Sequence, residues 1–542
     1  MHRHSIIIKK TILLIMGSML CVTSMVGTSS AATTASPTTQ NTTATSTTTP
    51  PPAPNETAGY NCPTGLPAGT HCTMVVAGLA DDGCNWSWAD RPTDLPVYGI
   101  NEHTTEGTLQ SALNEAQNTS NCVSWNYLVD QQGNVYVSVP RDSLAYDVDN
   151  WWQNTHYIEV EHVGYSEDCS TLTSAEMQSS EALDRWLIQK YNIDPTAAMI
   201  TGHQSVPGVD DSSQATQHWD PGYCWPWAQY LSAIGAPIAP TAAPNSSVVT
   251  VRTDDSHQPI QNCPGTNFTD CTAAPSSLTD ATNFVAMYTG PSASDPLVSD
   301  PYLHPDGSAG TTAEQDWGDK AVTGHDYVVI GRKPGWTEVW FNGQKAWFQD
   351  NGQVTVPTTA FTVTPKSSAA VAIYGRPLPD YDNPAWNNIS YDPNWTQPVA
   401  FSDYTMLAGQ QYPIVAAPSV SSGTQPKGGL ELPGVPPLQT DYAEGCNTDN
   451  CTGPGDGTVV VDGPDETQYI EISYGARYAF VQLNDVNVEL NGVPIQFKTE
   501  PTTETEKSDI ENSPLIAAPS TCNGTTRVTG SAAEGRFVCA AS

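Results

Sequence analysis

Apolar residues in this chain fall mostly in short runs that alternate with polar ones, the pattern of half-buried strands. Trp125–Val129 and Val135–Val139 flank Asp130-Gln-Gln-Gly-Asn134, which reads as a hairpin. Ile158-Glu-Val-Glu-His-Val163 alternates with period 2, so Ile158 and Val160 face one way and Glu159 and Glu161 the other. The period changes after Thr173. Thr173-Ser-Ala-Glu176 forms a capping box, and Ala182, Leu183, Trp186, Leu187 and Tyr191 follow at helical spacing. Residues 60–236 therefore read as an α/β domain, and Ala236-Pro-Ile-Ala-Pro-Thr-Ala-Ala-Pro244 opens a linker assigned to 237–279.

Beyond the linker the pattern repeats itself. Residues 336–349 align without gaps to residues 469–482, Val285-Ala-Met-Tyr288 matches Val371-Ala-Ile-Tyr374, and Gly324–Val329 matches Gly409–Ile414. Two small all-β units are expected, at 280–358 and 366–490, the second interrupted by a Pro/Gly-rich insertion at 417–466. Their short strands with Trp-x-x-Val … Gly … Ala-Trp resemble bacterial Src-homology-3-like barrels. Residues 491–542 read as an acidic tail in which Cys522 and Cys539 are candidates for a disulfide hairpin.

The N-terminus has a different character. Arg3, Lys9 and Lys10 precede an apolar run from Ile12 to Val26 and the small residues Ser30-Ala31-Ala32, so residues 1–32 read as a cleavable export signal. Residues 33–58 contain almost only Thr, Ala, Ser, Pro and Asn, cannot bury apolar surface, and are expected to form a disordered tether. Cysteine usage agrees with export. Of 13 cysteines Cys21 leaves with the signal, no C-x₂-C pair exists, and the even remainder suits disulfides in an oxidising compartment. Cys263/Cys271 and Cys446/Cys451 invite local bridges, while the six cysteines from Cys62 to Cys224 cannot be paired from sequence.

Charge narrows the partners. With 57 acidic and 20 basic residues the net charge is −37, which removes nucleic acid and anionic membrane as electrostatic partners. Signal removal takes away three cations and no carboxylate, so the mature chain is more acidic still. At 542 residues several domains are required.

The residues able to do chemistry lie between 98 and 227. An apolar strand ends at His103; Glu159 and Glu161 project from a strand interior; Ile200-Thr-Gly-His-Gln-Ser205 and Gln217-His-Trp-Asp-Pro-Gly222 supply His203, His218 and Asp220 within turns. Three N/O ligands with a fourth position open is the composition of catalytic zinc sites.

In this order the motifs resemble the zinc-dependent N-acetylmuramoyl-L-alanine amidases related to peptidoglycan-recognition proteins and phage-lysozyme amidases. The matching segments are His103–Gly107, Ser124–Gly133, Ala145–Asn150, Val160–Gly164, Gly202-His203 and Asp220-Pro-Gly222, spanning about 85–231. The resemblance implies a mixed central β-sheet flanked by helices and Zn²⁺ held by His103, His203 and Asp220. It further implies Glu161 as the carboxylate that activates water, with Glu159 on the same face as the alternative. His218 would stabilise the developing oxyanion or donate a proton, and Trp125, Asn126 and Tyr127 would contact substrate. Asn126 and Asp147 stand where the family carries histidines, and Cys224 reads as a disulfide partner. The expected protein is a secreted, wall-associated monomer that hydrolyses the amide between N-acetylmuramic acid and L-alanine of peptidoglycan or muropeptides, with no membrane contact after signal removal. On this reading 60–236 is self-sufficient. The alternative is a non-catalytic peptidoglycan-recognition or surface-adhesion protein.

Overall fold

The computed structural model describes residues 58–78, 88–91, 96–118, 121, 123–261, 281–378, 399–415, 442–444, 459–461, 467–490, 492–498, 526–531 and 536–541. The expected export signal, nearly all of the expected tether, the Cys263/Cys271 and Cys446/Cys451 pairs, and Cys522 lie outside them. Among the described residues no helix is long and apolar enough to cross a membrane.

Helix α1 (Ala58–Asn61) leads into eight strands: β1 (Cys72–Met74), β2 (Trp88–Asp90), β3 (Gly99–Glu102), β4 (Tyr127–Val129), β5 (Val135–Val137), β6 (Ser143–Ala145), β7 (Tyr157–His162) and β8 (Ile200–Gly202). Six of them form one sheet in the order β1-β5-β4-β7-β3-β8, while β2 pairs with β6. Only β4 and β5, the hairpin expected from sequence, run antiparallel; every other pairing in that sheet is parallel. Five helices accompany the strands: α2 (Leu109–Gln117), α3 (Trp151–His156), α4 (Ser174–Tyr191), α5 (Asp211–Thr216) and α6 (Trp227–Ile234).

Local chemistry explains the main elements. Thr173 accepts from the Glu176 amide and Glu176 answers at the Thr173 amide, which starts α4; Asn192, in the left-handed conformation at φ 54°, ends it. Leu183 and Leu187 of α4 join Ile158 and Val160 of β7 and Trp225, Tyr230 and Leu231 in one apolar cluster. The opposite face of β7 is buried as well, so Glu159 and Glu161 do not lie on a solvated sheet surface. Two disulfides, Cys62–Cys72 and Cys169–Cys224, tie α1 to β1 and the segment before α4 to the turn after Asp220. Cys224 is thus a bridge partner, as expected.

Downstream, the described residues form strands with short 3-10 turns between some of them. The strands are β9 (Val248–Val251), β10 (Phe284–Ala286), β11 (Lys320–Val322), β12 (Asp326–Lys333), β13 (Trp336–Phe341), β14 (Gln344–Gln349) and β15 (Thr355–Thr358). They continue with β16 (Phe361–Pro365), β17 (Val371–Tyr374), β18 (Ala400–Met406), β19 (Tyr412–Pro413), β20 (Tyr442–Glu444), β21 (Val459–Val461), β22 (Tyr469–Ser473) and β23 (Tyr478–Gln482). The last are β24 (Val486–Leu490), β25 (Val493–Lys498), β26 (Thr526–Ser531) and β27 (Arg536–Ala541). A five-stranded antiparallel sheet runs β14-β13-β12-β9-β15, and two further sheets run β18-β17-β23-β22 and β19-β16-β24-β25-β26-β27.

The internal repeat is visible in the pairing. The aligned segments 336–349 and 469–482 are both antiparallel hairpins, β13/β14 and β22/β23. Tyr288 bridges Trp347, and the aligned Tyr374 pairs with the aligned Phe480.

Two stretches differ from the sequence expectation. The span 237–279 is not only a connection, because β9 lies within it and pairs with both β12 and β15. Residues 491–542 hold three paired strands rather than a plain tail. The α/β domain also shares its core: one apolar cluster runs from Ile158 and Leu183 through Val249, Val251, Phe284 and Tyr327 to Tyr478 and Phe480.

Candidate metal centre

Parallel pairing of β3 with β7 sets Asn101 beside Glu159 and Glu102 beside Val160, and places His103 at the strand end next to Glu161. The ladder continues past the strand: the His103 amide donates to the Val160 carbonyl (2.9 Å). On the other side of β3, β8 delivers Gly202 and His203. A side chain at 202 would meet Pro221 Cδ at 2.5 Å and Trp227 Cζ2 at 3.0 Å, so glycine lets the Asp220-Pro221 loop close against β8. The Gln204 amide then donates to the Asp220 carbonyl (2.8 Å).

The result is a buried group of His103, His203 and Asp220 whose ligand atoms all lie within 4.8 Å of one another. Asp220 Oδ2 is 3.0 Å from His103 Nδ1 and Asp220 Oδ1 is 3.4 Å from His203 Nδ1. Behind each ring stands an acceptor. His103 Nε2 meets Glu159 Oε2 at 3.1 Å, and His203 Nε2 meets Gln217 Oε1 at 3.1 Å. The Gln217 amide is oriented because its Nε2 donates to the Val148 carbonyl (3.0 Å) and its Oε1 accepts from the His218 amide (3.2 Å). Carboxylate and amide oxygens only accept, so Glu159 and Gln217 each take the Nε2 proton of one ring and turn its Nδ1 toward Asp220. This is the arrangement by which outer acceptors orient histidine ligands toward a metal ion.

Burial pulls His103 down, but Asp147, Asp220 and Glu159 outweigh it and hold the ring well above the ordinary histidine range. Burial pulls His203 down to about 4, so it stays neutral with its lone pair available. Burial would raise Asp220, yet the two histidines hold it well below the usual carboxylate range. Glu161 is pushed well up by burial and by Asp147; its Oε2 is buried without a hydrogen-bond partner. Burial also pushes Asp147 up to about 8, and its Oδ2 is likewise unpartnered. Glu106, whose carboxylate accepts from the Ser166 amide (3.0 Å), is raised by burial to about 8. A buried centre holding this many carboxylates against two imidazoles calls for a cation. The donor set of two histidine nitrogens and a carboxylate oxygen fits a metal ion. His103, Asp147 and Glu161 form a second group of the same kind.

The sequence model of the N-acetylmuramoyl-L-alanine amidase family matches residues 93–223. This part of the chain is similar to that family. Among solved structures, a selenomethionine derivative of AmpD is 17% identical over 31% of this chain and 96% of its own, with a TM-score of 0.23. A mutant endolysin from Bacillus subtilis is 17% identical over 30% of this chain and 98% of its own, with a TM-score of 0.22. The hydrolase AmiA of Staphylococcus aureus, solved with its ligand, is 19% identical over 31% and 77%, with a TM-score of 0.22. No curated protein matches the chain.

Within the amidase domain the sequence-expected residues separate by position. His103, His203, Asp220 and Glu161 converge. His218 stands at the rim with its side chain 73% exposed, Nδ1 3.8 Å from Asp220 Oδ1 and its ring 5.0 Å from that of His203. Trp125, Asn126 and Tyr127, expected at the substrate, are all buried. Tyr127 donates to the Asn61 carbonyl (2.8 Å), and Asn126 donates to the Ser143 carbonyl (3.1 Å) while accepting from the Glu159 amide (3.1 Å). Buried in this way, the three side chains leave almost no surface for contact. Glu102 points to the other side of β3, where it accepts from Tyr230 (3.2 Å).

Three contributors were not assigned to the centre from sequence. Asp147 Oδ2 lies 3.8 Å from His103 Nε2; its only sequence signal was its place in the Ala145–Asn150 segment. Gln217 has a signal only in retrospect, adjacent to His218. Arg477, 257 positions beyond Asp220 in the chain, donates to the backbone of both ligand turns and has none.

Proposed function

We propose that this protein is a secreted, zinc-dependent N-acetylmuramoyl-L-alanine amidase that cleaves the amide between the lactyl group of N-acetylmuramic acid and L-alanine of peptidoglycan. The observation that carries this reading is the pair of histidines whose Nδ1 atoms face Asp220 while Glu159 and Gln217 hold their Nε2 atoms, with the unpartnered Glu161 carboxyl alongside. His103, His203 and Asp220 would hold the zinc, which supplies Lewis acidity by lowering the pKa of water to about 7 and polarising a carbonyl. Glu161 takes the proton from the attacking water and returns it to the alanine nitrogen as the C–N bond breaks. The products are a free lactyl carboxylate and a free amine. Burial and neighbouring carboxylates raise the affinity of Glu161 for that proton. His218, exposed at the rim, is positioned to donate to the oxyanion that develops on the carbonyl oxygen.

The export signal at 1–32, the even cysteine count of the mature chain and the disulfides support action outside the cell. The aligned hairpins support two Src-homology-3-like β-repeats following the amidase domain. The protein acts as a monomer on peptidoglycan or muropeptides, without nucleic acid or membrane as partner.

The test is mass analysis of the products from intact peptidoglycan, with and without a chelator. Free stem peptides beginning with L-alanine should appear and should vanish on chelation, returning with added zinc. Glycan cleavage instead, or undiminished release from metal-free protein, would overturn the reading.

A further inference from the structure

The turn between β22 and β23 reaches from the second β-repeat into the amidase domain. Arg477 on that turn is buried, and its guanidinium donates to five backbone carbonyls: one nitrogen to His203, Gln204 and Val206 (3.0 Å each), the other to Gln217 (3.0 Å) and His218 (2.7 Å). These carbonyls belong to the two turns that carry the ligands His203 and Asp220, and one belongs to Gln217, whose side chain fixes the His203 ring. The turn bearing Arg477 is itself held: Tyr327 donates to the Gly475 carbonyl (2.9 Å), and the Asn342 amide donates to the Tyr474 carbonyl (2.9 Å). Room for a side chain at 475 is absent, because a Cβ there would fall 1.6 Å from Asn342 Oδ1. Nearby, His325 Nε2 and Ser205 Oγ are 2.9 Å apart, and the His325 ring stacks on Tyr478 at 4.3 Å.

We infer that Arg477 is a positioning residue for the metal centre: the C-terminal β-region is a structural part of the amidase site, clamping the His203 and Asp220 turns together. Turns rich in unpaired carbonyls do not hold a fixed spacing alone, and a planar guanidinium with five N–H donors satisfies several at once in one geometry. Burial lowers its pKa to about 10, so it stays cationic at neutral pH. Lysine, with three donors on a point-like ammonium, cannot reach all five acceptors.

This inference rests on the metal reading above, and its test is arranged to separate the two. Full-length wild type, Arg477→Ala, Arg477→Lys and Phe480→Leu are loaded with zinc and challenged with a chromogenic chelator well below their melting temperatures. Phe480→Leu is the control, because it loosens the same hairpin where Phe480 packs edge-on against Trp152 (5.1 Å) and leaves the Arg477 hydrogen bonds to the ligand turns in place. Loss of an outer support of this kind costs about 10–100-fold in metal affinity or activity. Arg477→Ala should release zinc about that much faster, Arg477→Lys should fall between it and wild type, and both should lose kcat more than they raise KM. Phe480→Leu should lower the melting temperature with zinc release unchanged. Should Arg477→Ala not fold, Arg477→Lys against Phe480→Leu decides the matter. Wild-type zinc retention and kcat in Arg477→Lys, or equal zinc loss in Phe480→Leu, would overturn the inference. A wild type that takes up no zinc would instead sink the metal reading.

Discussion

Glu159 and Glu161 share a strand face and a chemical type, and their neighbours give them different work. Glu159 is tied to His103 Nε2 and to Asn101 Nδ2 (3.3 Å), so it orients a ligand; Glu161 has a buried oxygen with no partner and faces the same centre. Replacing each by glutamine should therefore give different phenotypes. Glu161→Gln should keep zinc and lose about 10²–10⁴-fold in kcat, the usual contribution of a positioned general base. Glu159→Gln should lose zinc affinity by about 10–100-fold and recover part of its turnover in excess zinc. Zinc content by elemental analysis and kcat at saturating zinc separate the two, and near-normal turnover in Glu161→Gln would exchange their roles. Alternation alone put both carboxylates on one face. It could not say which one meets His103, because that depends on the register of β7 against β3 and on the direction in which the ring leans.

At the scale of elements, period-2 alternation, the capping box and the self-alignment were readable because each is written in contiguous residues. The hairpin β4/β5, helix α4 and the paired hairpins β13/β14 and β22/β23 all sit where those signals lie. Strand β9 was missed because its Pro-rich flanks read as a connection and its partners lie more than 70 residues away. Strand β22 carries a further consequence. Glu471 is buried there, and burial raises its carboxyl from the ordinary value to about 8. The folded protein thus keeps a proton that the unfolded chain has lost above about pH 4.5. Its stabilising contribution is full below that pH and falls as pH rises toward 8, by up to about 1.4 kcal/mol per pH unit. Glu471→Gln should flatten this part of the profile. Denaturant titrations at pH 5, 6.5 and 8 should show the variant gaining on wild type as pH rises. Parallel pH profiles for the two proteins would contradict the assignment.

The whole molecule is where the sequence was least legible. Composition separates a basic N-terminal segment from an acidic remainder, and motifs mark an amidase domain of ordinary extent, which suggests a catalytic unit followed by appended repeats. The structure departs from that plan because contacts between distant segments leave no local trace. Trp152 packs on Phe480, Asn150 donates to the Gly375 carbonyl (2.9 Å), Asn283 donates to the Gly222 and Trp225 carbonyls (2.8 and 2.9 Å), and Asp211 accepts from Tyr302 (2.6 Å). Separating the domains at the linker would expose the shared apolar cluster to water. It would also take the Arg477 guanidinium away from the carbonyls of the two ligand turns, and leave the amide nitrogens of Ala228 and Gln229 without the Asp254 carboxylate (2.8 Å each). A chain ending at Gly235 should accordingly melt well below the full-length protein or aggregate, and should retain zinc poorly even where it remains folded. A chain ending at Lys498, which keeps β9 to β25, should match full length in both respects. Calorimetry and zinc content of the two truncations decide between an integrated molecule and a catalytic unit with passengers. If the shorter chain matches the full-length protein in melting temperature, zinc content and kcat, the repeats are passengers and the shared core has no bearing on the site.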